Sequence, residues 1–413
     1  MSNKIDKHIL ISLFCFALIT IIIYFPIPIN NIEKYIPYLI SVGPHADWNV
    51  IIDANKCQLI GYDVYISNPC DILDRSHVYG EILLHIPYYE KLDLLYYVVF
   101  PNFINYLFIL VLFKIFNPVK VKDYVFLFLL LILQPLILAL ERTNIDILIF
   151  ICIFFIAKYN NILINYIILL IITLSKFFPI TLVFIFLFLK ETKNIIINIL
   201  FFLFLTSVLF FFQLESITNI IENKSQFTAG LSPFAFSFYL MPKIFFYVLN
   251  AYDLVIKFDK IFFYIIYFFI FFSVFLLNFI FVKKKEIFNE FSFSNLNERL
   301  FFMGLVVSVT CYFILDNYIY REIFLILLIP FLISFPYKQS LFYVNKLKNL
   351  VYLKFIIPSL FTLLTVFFYP DNNILIGVNL FIKSSVDNLL LVLLSSNLTY
   401  IIYLTLKKRL NNH

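Results

Sequence analysis

Carboxylates that could act as a general base are concentrated in residues 28–93, a polar stretch between two long apolar runs. A positioned carboxylate can take the proton from a hydroxyl group as that hydroxyl attacks a substrate. The same stretch contains Trp48, the only Trp of the chain, and three of the five His. If the protein has an aqueous active site, we expect it here. The acidic residues of the stretch include Asp47, Asp53, Asp63, Asp71, Asp74, Glu81, Glu90 and Asp93.

Three cations, Arg142, Lys176 and Arg321, stand at the ends of predicted apolar helices. Cations at this depth suit a phosphate or pyrophosphate group, and Arg offers such a group a bidentate fork. Any one of them alone could instead extend to the lipid interface as an isolated basic residue does. All three are predicted to lie on the same side of the membrane as the acidic stretch. We therefore favour an anion-binding site.

A short polar segment, residues 141–146 (ERTNID), separates the third and fourth apolar runs. If this segment is helical from Arg142, then Arg142 and Asp146 lie four positions apart on one helix face and can form an ion pair. Such a pair fits a helix-capping role as well as a role in a site. Asn144 is placed to cap the helix that follows.

Two of the five cysteines, Cys57 and Cys70, fall in the acidic stretch. We predict a disulfide between them if this stretch lies on the oxidising side of a membrane. Two free thiols are the alternative, because spacing alone does not establish the geometry that a disulfide needs. A zinc site is a weaker interpretation, since the nearby His45, His77 and His85 do not form a recognisable ligand pair.

The composition excludes a soluble globular protein. Of the 413 residues, 62% are hydrophobic and 14% are charged, whereas soluble chains are roughly 45–50% apolar and about 25% charged. The apolar residues form long runs with few charges, as a bilayer-spanning chain requires. The net charge of +6 does not indicate a nucleic-acid partner, because the basic residues lie mostly in short loops between the apolar runs.

We predict an all-α, polytopic membrane protein with about twelve transmembrane helices in a single transmembrane domain, residues 1–413. A spanning helix needs about 20 apolar residues. The fourth to sixth candidates are shorter, so they are tilted, re-entrant or merged if they enter the membrane. The predicted spans are 8–27, 94–116, 124–140, 145–157, 161–175, 177–190, 195–213, 261–282, 299–316, 322–336, 350–369 and 384–406.

The positions of Lys and Arg predict the orientation, because cytoplasmic loops carry an excess of these residues. With the N-terminus inside, every basic cluster falls on one side, which predicts a multi-pass protein of the plasma (inner) membrane with both termini cytoplasmic. Residues 28–93 then form a long outer, periplasmic loop, and residues 214–260 form a second outer loop. The first apolar run lacks a small-residue cleavage site and is predicted to remain as an anchor.

Motifs occur in a definite order along the chain: Asp47, 61–65 (GYDVY), 68–71 (NPCD), 141–146 (ERTNID), 176–179 (KFFP) and 317–321 (NYIYR). Together they resemble the polytopic GT-C glycosyltransferases, and most closely glycosyltransferase family 87, the polyprenyl-phosphate-mannose-dependent α-mannosyltransferase-like group with its bacterial relatives. The resemblance extends from about residue 45 to about residue 335 and depends on the order of the motifs more than on any one of them. The last two predicted spans match no motif of the family.

The resemblance implies a hexosyltransferase that passes a sugar, expected to be mannose, from a polyprenyl-phosphate donor to a hydroxyl of a glycan, lipid or protein acceptor at the outer membrane face. The family's general base for inverting transfer is an acidic residue at the start of the first outer loop. Asp47 falls at that position, and Asp53 is the alternative base. Because cations can stabilise the leaving phosphate, no metal or other cofactor is expected. The residues expected at the donor phosphate are Arg142, Lys176, Arg321 and His45.

Other side chains are expected to hold the sugar and the acceptor. These expectations are sugar stacking by Trp48 and Tyr65, hydroxyl binding by Asp63 and Asp71, and a further sugar contact from Asn144. The chain departs from the family pattern at Thr143, where we expect Gly, and at Phe177, where we expect Tyr. Membrane lipids are the remaining expected partners.

Two other functions fit a similar membrane setting. A secondary transporter or a flippase of lipid-linked glycans also has about twelve spans, but its ionisable residues are expected near the bilayer midplane. A polysaccharide polymerase or ligase also joins lipid-linked sugars, but its large loop is expected nearer the C-terminal half. The ionisable residues singled out here lie at outer helix ends and in one loop, which favours chemistry at the membrane surface.

Overall fold

A computed structural model describes residues 7–24, 43–159, 161–188, 192–214, 216–219, 235–236, 238, 260–313, 317–335, 341–367 and 373–411. Within these residues the chain is almost entirely helical, and one pair of two-residue strands is present. The predicted all-α class is therefore confirmed for the described chain. Most of the second predicted outer loop, residues 214–260, lies outside the described residues.

The α-helices vary from 6 to 38 residues in length. In chain order they are α1 (Lys7–Tyr24), α2 (Ala46–Leu59), α3 (Phe100–Phe116), α4 (Val121–Ile132), α5 (Gln134–Arg142), α6 (Ile145–Tyr159), α7 (Ile162–Ser175), α8 (Thr192–Phe212), α9 (Lys260–Lys284), α10 (Leu296–Phe313), α11 (Ile329–Ser334), α12 (Leu341–Phe367) and α13 (Asn373–Leu410). The 3₁₀ helices are Glu81–His85, Glu90–Leu92, Phe178–Phe188 and Ile319–Leu328, and Leu95–Val99 is a π-helical turn. The strands β1 (Ala235–Phe236) and β2 (Asn317–Tyr318) pair antiparallel.

Among the described residues, six helices are long and apolar enough to cross a bilayer, and a seventh span exists if α4 and α5 cross together. These two helices meet at a bend of 64°. The predicted spans 145–157 and 161–175 correspond to α6 and α7, with 15 and 14 residues. At about 1.5 Å per residue, both are shorter than the ~30 Å hydrocarbon core of a bilayer. The structure thus supports six or seven spans, and the count of twelve stays a prediction.

The chain divides into two compact units. The first contains Met1–Ile180 and Leu203–Thr228, and in it α3 packs against α1 and α6, while α6 packs against α7. The second contains Thr181–Phe202 and Ala229–His413, and in it α13 packs against α9, α10 and α12. The acidic stretch of the sequence belongs to the first unit.

Residues 43–99 form a folded segment of the first unit. Helix α2 packs against the 3₁₀ helix Glu81–His85, and a disulfide joins Cys57 in α2 to Cys70 in the following turns. The predicted pairing of these two cysteines is therefore present in the structure. A small apolar core fills the space between these elements and consists of Ala54, Cys57, Val64, Tyr65 and Leu84.

Gly80 places this segment against the C-terminal end of α7. Its N–H donates to the carbonyl oxygen of Ser175 at 2.9 Å. A Cβ atom at position 80 would lie 1.6 Å from the carbonyl oxygen of Leu174, so only Gly permits this approach. The contact fixes the acidic segment beside Lys176, the first residue after α7.

Candidate functional site

Asp47 is the centre of a buried polar cluster in the first unit. It lies in the first turn of α2, and its side chain is 10% exposed. Arg142 Nη1 donates to Asp47 Oδ1 at 2.9 Å, and Asn144 Nδ2 donates to Asp47 Oδ2 at 2.6 Å. Because each carboxylate oxygen has two acceptor directions, Asp47 keeps acceptor capacity for a further donor.

The turn between α5 and α6 supplies both of these partners because the helix breaks there. Helix α5 ends at Arg142, and Thr143 adopts a left-handed backbone with φ of 43°. Asn144 Oδ1 accepts the N–H of Asp146 at 3.0 Å, which confirms Asn144 as the cap of α6. The helix that would place Arg142 and Asp146 on one face is not present, since Thr143 interrupts it between them.

Lys176 joins the cluster from the end of α7. Its Nζ donates to Asp146 Oδ1 at 2.7 Å and to Asn144 Oδ1 at 3.2 Å. Asn144 therefore connects the Lys176 ammonium to the Asp47 carboxylate, because its amide accepts on one side and donates on the other. The structure thereby brings together four predicted site residues from three separate parts of the sequence.

Arg75 is a member of the cluster that the sequence analysis missed. It forms two hydrogen bonds to Asp71, from Nε at 2.9 Å and from Nη2 at 2.7 Å, and its Nη1 lies 3.8 Å from Asp47 Oδ1. Burial acts to raise the pKa of Asp71, but the hydrogen bonds and charge of Arg75 outweigh it and hold that pKa below its usual value. Asp71 thus orients Arg75 towards Asp47. The available signal was the spacing of four positions between Asp71 and the only Arg of the acidic stretch. We refer to Asp47, Arg75, Arg142, Asn144 and Lys176 as the Asp47 cluster.

Asp53, the alternative base, lies in a different environment. Tyr97 Oη donates to Asp53 Oδ1 at 2.5 Å. Burial raises the pKa of Asp53 to about 6, although the Tyr97 hydrogen bond acts in the opposite direction. Six helical positions correspond to a rotation of about 240° and a rise of about 9 Å, so Asp53 and Asp47 occupy different faces of α2. Asp53 is therefore not an ion-pair partner of Arg142 in the structure.

His45, which was predicted to contact the donor phosphate, is buried just before α2. Its Nδ1 lies 2.7 Å from Thr143 Oγ1, and its Nε2 lies 2.7 Å from Tyr24 Oη. Burial lowers the pKa of His45 to about 4, so the imidazole is neutral at neutral pH. Both ring nitrogens of His45 are thus hydrogen-bonded to protein groups.

The residues predicted to hold sugar and acceptor are dispersed around the segment. Trp48 is buried, and its Nε1–H donates to the carbonyl oxygen of Tyr96 at 2.9 Å. Tyr65 belongs to the small apolar core, where its ring contacts His77 at a centroid distance of 5.4 Å. Asp63 is exposed and accepts the N–H of Tyr65 at 3.1 Å. Stacking of Trp48 or Tyr65 on a sugar requires these rings to leave their present contacts.

Glu141 adds a second carboxyl group beside Arg142. Its side chain is 2% exposed, and its Oε2 lies 3.9 Å from Arg142 Nε. The sequence predicted no separate role for Glu141, which entered only as part of the segment 141–146. Glu141 is buried because the acidic segment packs over the end of α5, and this contact is not evident from the sequence.

Arg321, the third predicted cation, belongs to the second unit. It stands near the start of the 3₁₀ helix Ile319–Leu328. The Asp47 cluster lies wholly within the first unit. The residue that follows it, Glu322, is part of another group of buried charges in the second unit.

This second group links the 3₁₀ helix Ile319–Leu328 to α12 and α13. Lys354 Nζ lies 2.6 Å from Glu322 Oε1 and also contacts Asp387 Oδ1. Lys383 Nζ lies 3.6 Å from Asp387 Oδ2. The four side chains are at most 5% exposed, and we call them the Lys354 cluster. The sequence analysis missed this cluster, although charges placed within long apolar runs were an available signal.

Chemically, the Asp47 cluster presents a carboxylate with a lone pair available beside Arg75, Arg142 and Lys176. Such an arrangement can accept a proton and stabilise a nearby anion. Within the described residues, no group of three or more His, Cys, Asp or Glu is placed to hold a metal ion. No known protein family, curated protein or solved structure matches this chain.

Proposed function

We propose that this protein is a membrane-embedded glycosyltransferase of the GT-C type, which transfers a hexose, expected to be mannose, from a polyprenyl-phosphate donor to an acceptor hydroxyl. The observation that carries the proposal is the contact of 2.9 Å between Arg142 and Asp47, two residues 95 positions apart. The motifs assigned one of them to the donor phosphate and the other to the base. Their proximity is what a transfer reaction at one site requires.

In the proposed reaction, the acceptor hydroxyl attacks the anomeric carbon while Asp47 takes the hydroxyl proton. The bond between the anomeric carbon and the phosphate oxygen breaks, and its electron pair leaves with the polyprenyl phosphate. Attack from the side opposite the leaving group inverts the anomeric configuration. Arg142 and Lys176 stabilise the charge that the phosphate gains, which removes the need for a general acid.

The proposed setting is the outer face of the plasma membrane. Twelve spans with both termini cytoplasmic would place residues 28–93 and 214–260 outside, and the isoprenoid chain of the donor within the lipid. In support, Arg142 is the last residue of α5, Lys176 follows α7 directly, and Asp47 is in the first turn of α2. Side chains at helix ends can meet a lipid head group and a glycan, lipid or protein acceptor together.

The test is a transfer assay with the full-length protein in membranes and labelled polyprenyl-phosphate sugars. We expect label to move to a lipid, glycan or protein product, and Asp47→Asn to reduce the rate by about a hundredfold or more with unchanged protein in the membrane. Glu90→Gln removes an exposed carboxylate from the same segment and is expected to keep full activity. Full activity of Asp47→Asn would refute the base assignment, and transfer from none of the donors would refute the function.

A transporter or flippase of lipid-linked glycans is the second candidate, because of the Lys354 cluster. Ionisable residues buried within apolar helices often mark a transport path or a proton relay. Reconstitution of the protein into vesicles that contain a labelled lipid-linked glycan separates the two functions. Movement of the intact glycan across the bilayer, without a new glycosidic bond, would favour transport over transfer.

A further inference from the structure

The side chain of His45 connects three elements of the first unit. Its two ring nitrogens contact Thr143 Oγ1 and Tyr24 Oη, each at 2.7 Å. Tyr24 ends α1, Thr143 lies in the turn between α5 and α6, and His45 immediately precedes α2. The backbone N–H of His45 adds a hydrogen bond to the carbonyl oxygen of Glu141 at 2.6 Å. His45 is 1% exposed, so these bonds are shielded from water.

The donors and acceptors around the ring select one tautomer. The amide nitrogen of Asn102, which can only donate, lies 3.2 Å from His45 Nε2, so Nε2 is an acceptor and Nδ1 carries the hydrogen. Thr143 Oγ1 then accepts from Nδ1–H and directs its own hydrogen to the carbonyl oxygen of Leu140 at 3.2 Å. Nε2 is then the acceptor of the Tyr24 O–H, and Tyr24 Oη accepts from the amide of Asn102 at 2.9 Å. The hydrogen bonds therefore run in one direction, from Asn102 to Leu140.

Both residues joined by the Nδ1 bond have a left-handed backbone, with φ of 64° at His45 and 43° at Thr143. Residues other than Gly adopt this conformation rarely, and a β-branched residue such as Thr is especially unfavourable there. Such strain persists where the surrounding structure imposes it, often at functional sites. The Thr143 hydroxyl supplies a bond to His45 that the Gly expected at this position would lack.

We propose that His45, as the neutral Nδ1–H tautomer, is a positioning residue that holds the turn before α2 against the turn after α5. Asp47 is two residues beyond His45, while Arg142 and Asn144 flank Thr143. The His45–Thr143 bond therefore fixes the two contacts of Asp47, at 2.9 Å and 2.6 Å. In this role His45 does not bind the donor phosphate. The inference rests on the proposed function for its catalytic consequence, and its structural part stands alone.

Nitrogen NMR of the full-length protein in lipid nanodiscs, with ¹⁵N-labelled His, tests the structural part. His45→Gln identifies the His45 signals by their loss. We expect a protonated Nδ1 and an unprotonated Nε2 from pH 8 to pH 5, and a loss of this single pattern in Thr143→Val. A protonated Nε2, or exchange between tautomers, in the unmodified protein would overturn the proposal.

Transfer kinetics test the positioning role. We expect Thr143→Val and Tyr24→Phe to lower kcat by about tenfold or more, as misplacement of a catalytic group does, with the KM for the labelled donor unchanged. Thr143→Ser keeps the hydroxyl and should retain most of the activity. Thr405→Val, which removes a buried hydroxyl bonded to the carbonyl oxygen of Ile401, is the control.

A higher KM for the donor with an unchanged kcat, in His45→Gln and Thr143→Val alike, would assign His45 to the phosphate and overturn the positioning role. If the unmodified protein transfers no sugar, the proposed function fails. The NMR experiment then decides on the tautomer and the His45–Thr143 bond by itself. The two failures are therefore distinguishable.

Discussion

Lys176 Nζ donates to Asp146 Oδ1 at 2.7 Å, and the Asp146 side chain has no exposed surface. A carboxylate removed from water depends on its hydrogen bonds and its cation to remain ionised. Lys176 therefore has two tasks in the proposed site, because it neutralises Asp146 and stands beside the proposed phosphate. Variants that remove one charge or both can separate these tasks.

Lys176→Met is expected to destabilise the protein by about 3–5 kcal/mol, because it leaves Asp146 buried without this cation. The double variant Lys176→Met with Asp146→Asn removes both charges and should recover most of the lost stability. Denaturant unfolding in detergent measures this difference. Sugar transfer should stay low in the double variant, since the phosphate still lacks its cation. Unchanged stability of Lys176→Met would contradict the role of the ion pair in the fold.

The sequence predicted the parts of the site that depend on motif order, and it failed where burial decides the role of a residue. Asp47 was predicted from the family resemblance. Arg142 and Lys176 were predicted from their charges at the ends of predicted helices, and Asn144 was predicted as a helix cap. Arg75 was missed because its importance arises only when the disulfide-bonded segment folds back over α5. Periodicity places such a residue on an element, but it does not show which element covers it.

The predicted membrane spans show the same contrast between features that the sequence predicts and features that depend on packing. Apolar runs predicted the existence and type of almost every helix, because a bilayer selects long apolar segments. They also predicted the short α6 and α7 closely, as spans 145–157 and 161–175. They did not predict the bend of 64° that divides the predicted span 124–140 into α4 and α5. The Lys354 cluster was missed because Lys354 lies in one apolar run and Lys383 and Asp387 lie in another, and one or two charges barely change the mean hydropathy of a run.

His45 and His77 are expected to contribute a loss of folding stability between about pH 6.5 and pH 4. Burial lowers the pKa of His45 to about 4 and of His77 to about 3, whereas an unfolded His titrates near 6.5. As the pH falls, the unfolded chain binds these protons first, so stability present above pH 6.5 is lost through this window. Each His contributes a loss of roughly 3 kcal/mol by pH 4.

Asp53 acts in the opposite direction in this pH range. Its folded pKa of about 6 lies above the unfolded value, so the folded state gains a proton first and the loss is partly offset. The contribution of His77 can be isolated by comparing unfolding of the unmodified protein and of His77→Phe at pH 7.5 and pH 4.5. His77→Phe keeps an aromatic ring between Tyr65 and Tyr79 and should lose less stability, or gain more, than the unmodified protein over this interval. An identical change in the two proteins would contradict this account.

Tyr97→Phe is expected to raise the pKa of Asp53 above about 6. The Tyr97 hydroxyl donates to the ionised carboxylate, and its removal leaves burial as the dominant influence. Infrared spectroscopy can follow the carbonyl stretch of the protonated carboxyl group, which Asp53→Asn should abolish. An apparent pKa that stays at or below its original value in Tyr97→Phe would show that this hydrogen bond does not favour the charged form.

Lys354→Met is expected to reduce stability by about 3–5 kcal/mol, because it leaves Glu322 and Asp387 buried without the cation between them. The matched control is Lys407→Met, which replaces an exposed Lys of α13 and should change stability by less than about 0.5 kcal/mol. Thermal unfolding of the two variants in one detergent gives the comparison. Equal stability of the two variants would mean that the Lys354 cluster contributes little to the fold.

If the Lys354 cluster is structural, a charge-free replacement should preserve function. A quadruple variant, Glu322→Gln with Lys354→Met, Lys383→Met and Asp387→Asn, removes all four charges together and leaves no isolated ion in the cluster. For a glycosyltransferase we expect transfer to persist in proportion to folded protein. Loss of glycan movement in vesicles with folded protein retained would instead favour the transport function.

The proposed topology predicts which positions a membrane-impermeant thiol reagent can reach from outside the cell. Glu90→Cys lies in the exposed part of the segment that contains Asp47, and Lys284→Cys lies at the exposed end of α9. We expect labelling at position 90 in intact cells and at position 284 only after the membrane is opened. The unmodified chain is the background control: Cys57 and Cys70 are paired, Cys15 and Cys311 are buried, and any labelling of the half-buried Cys152 is measured there and subtracted. Labelling at 284 but not at 90 in intact cells would place the Asp47 cluster on the cytoplasmic side, where an outward-facing sugar transfer is impossible.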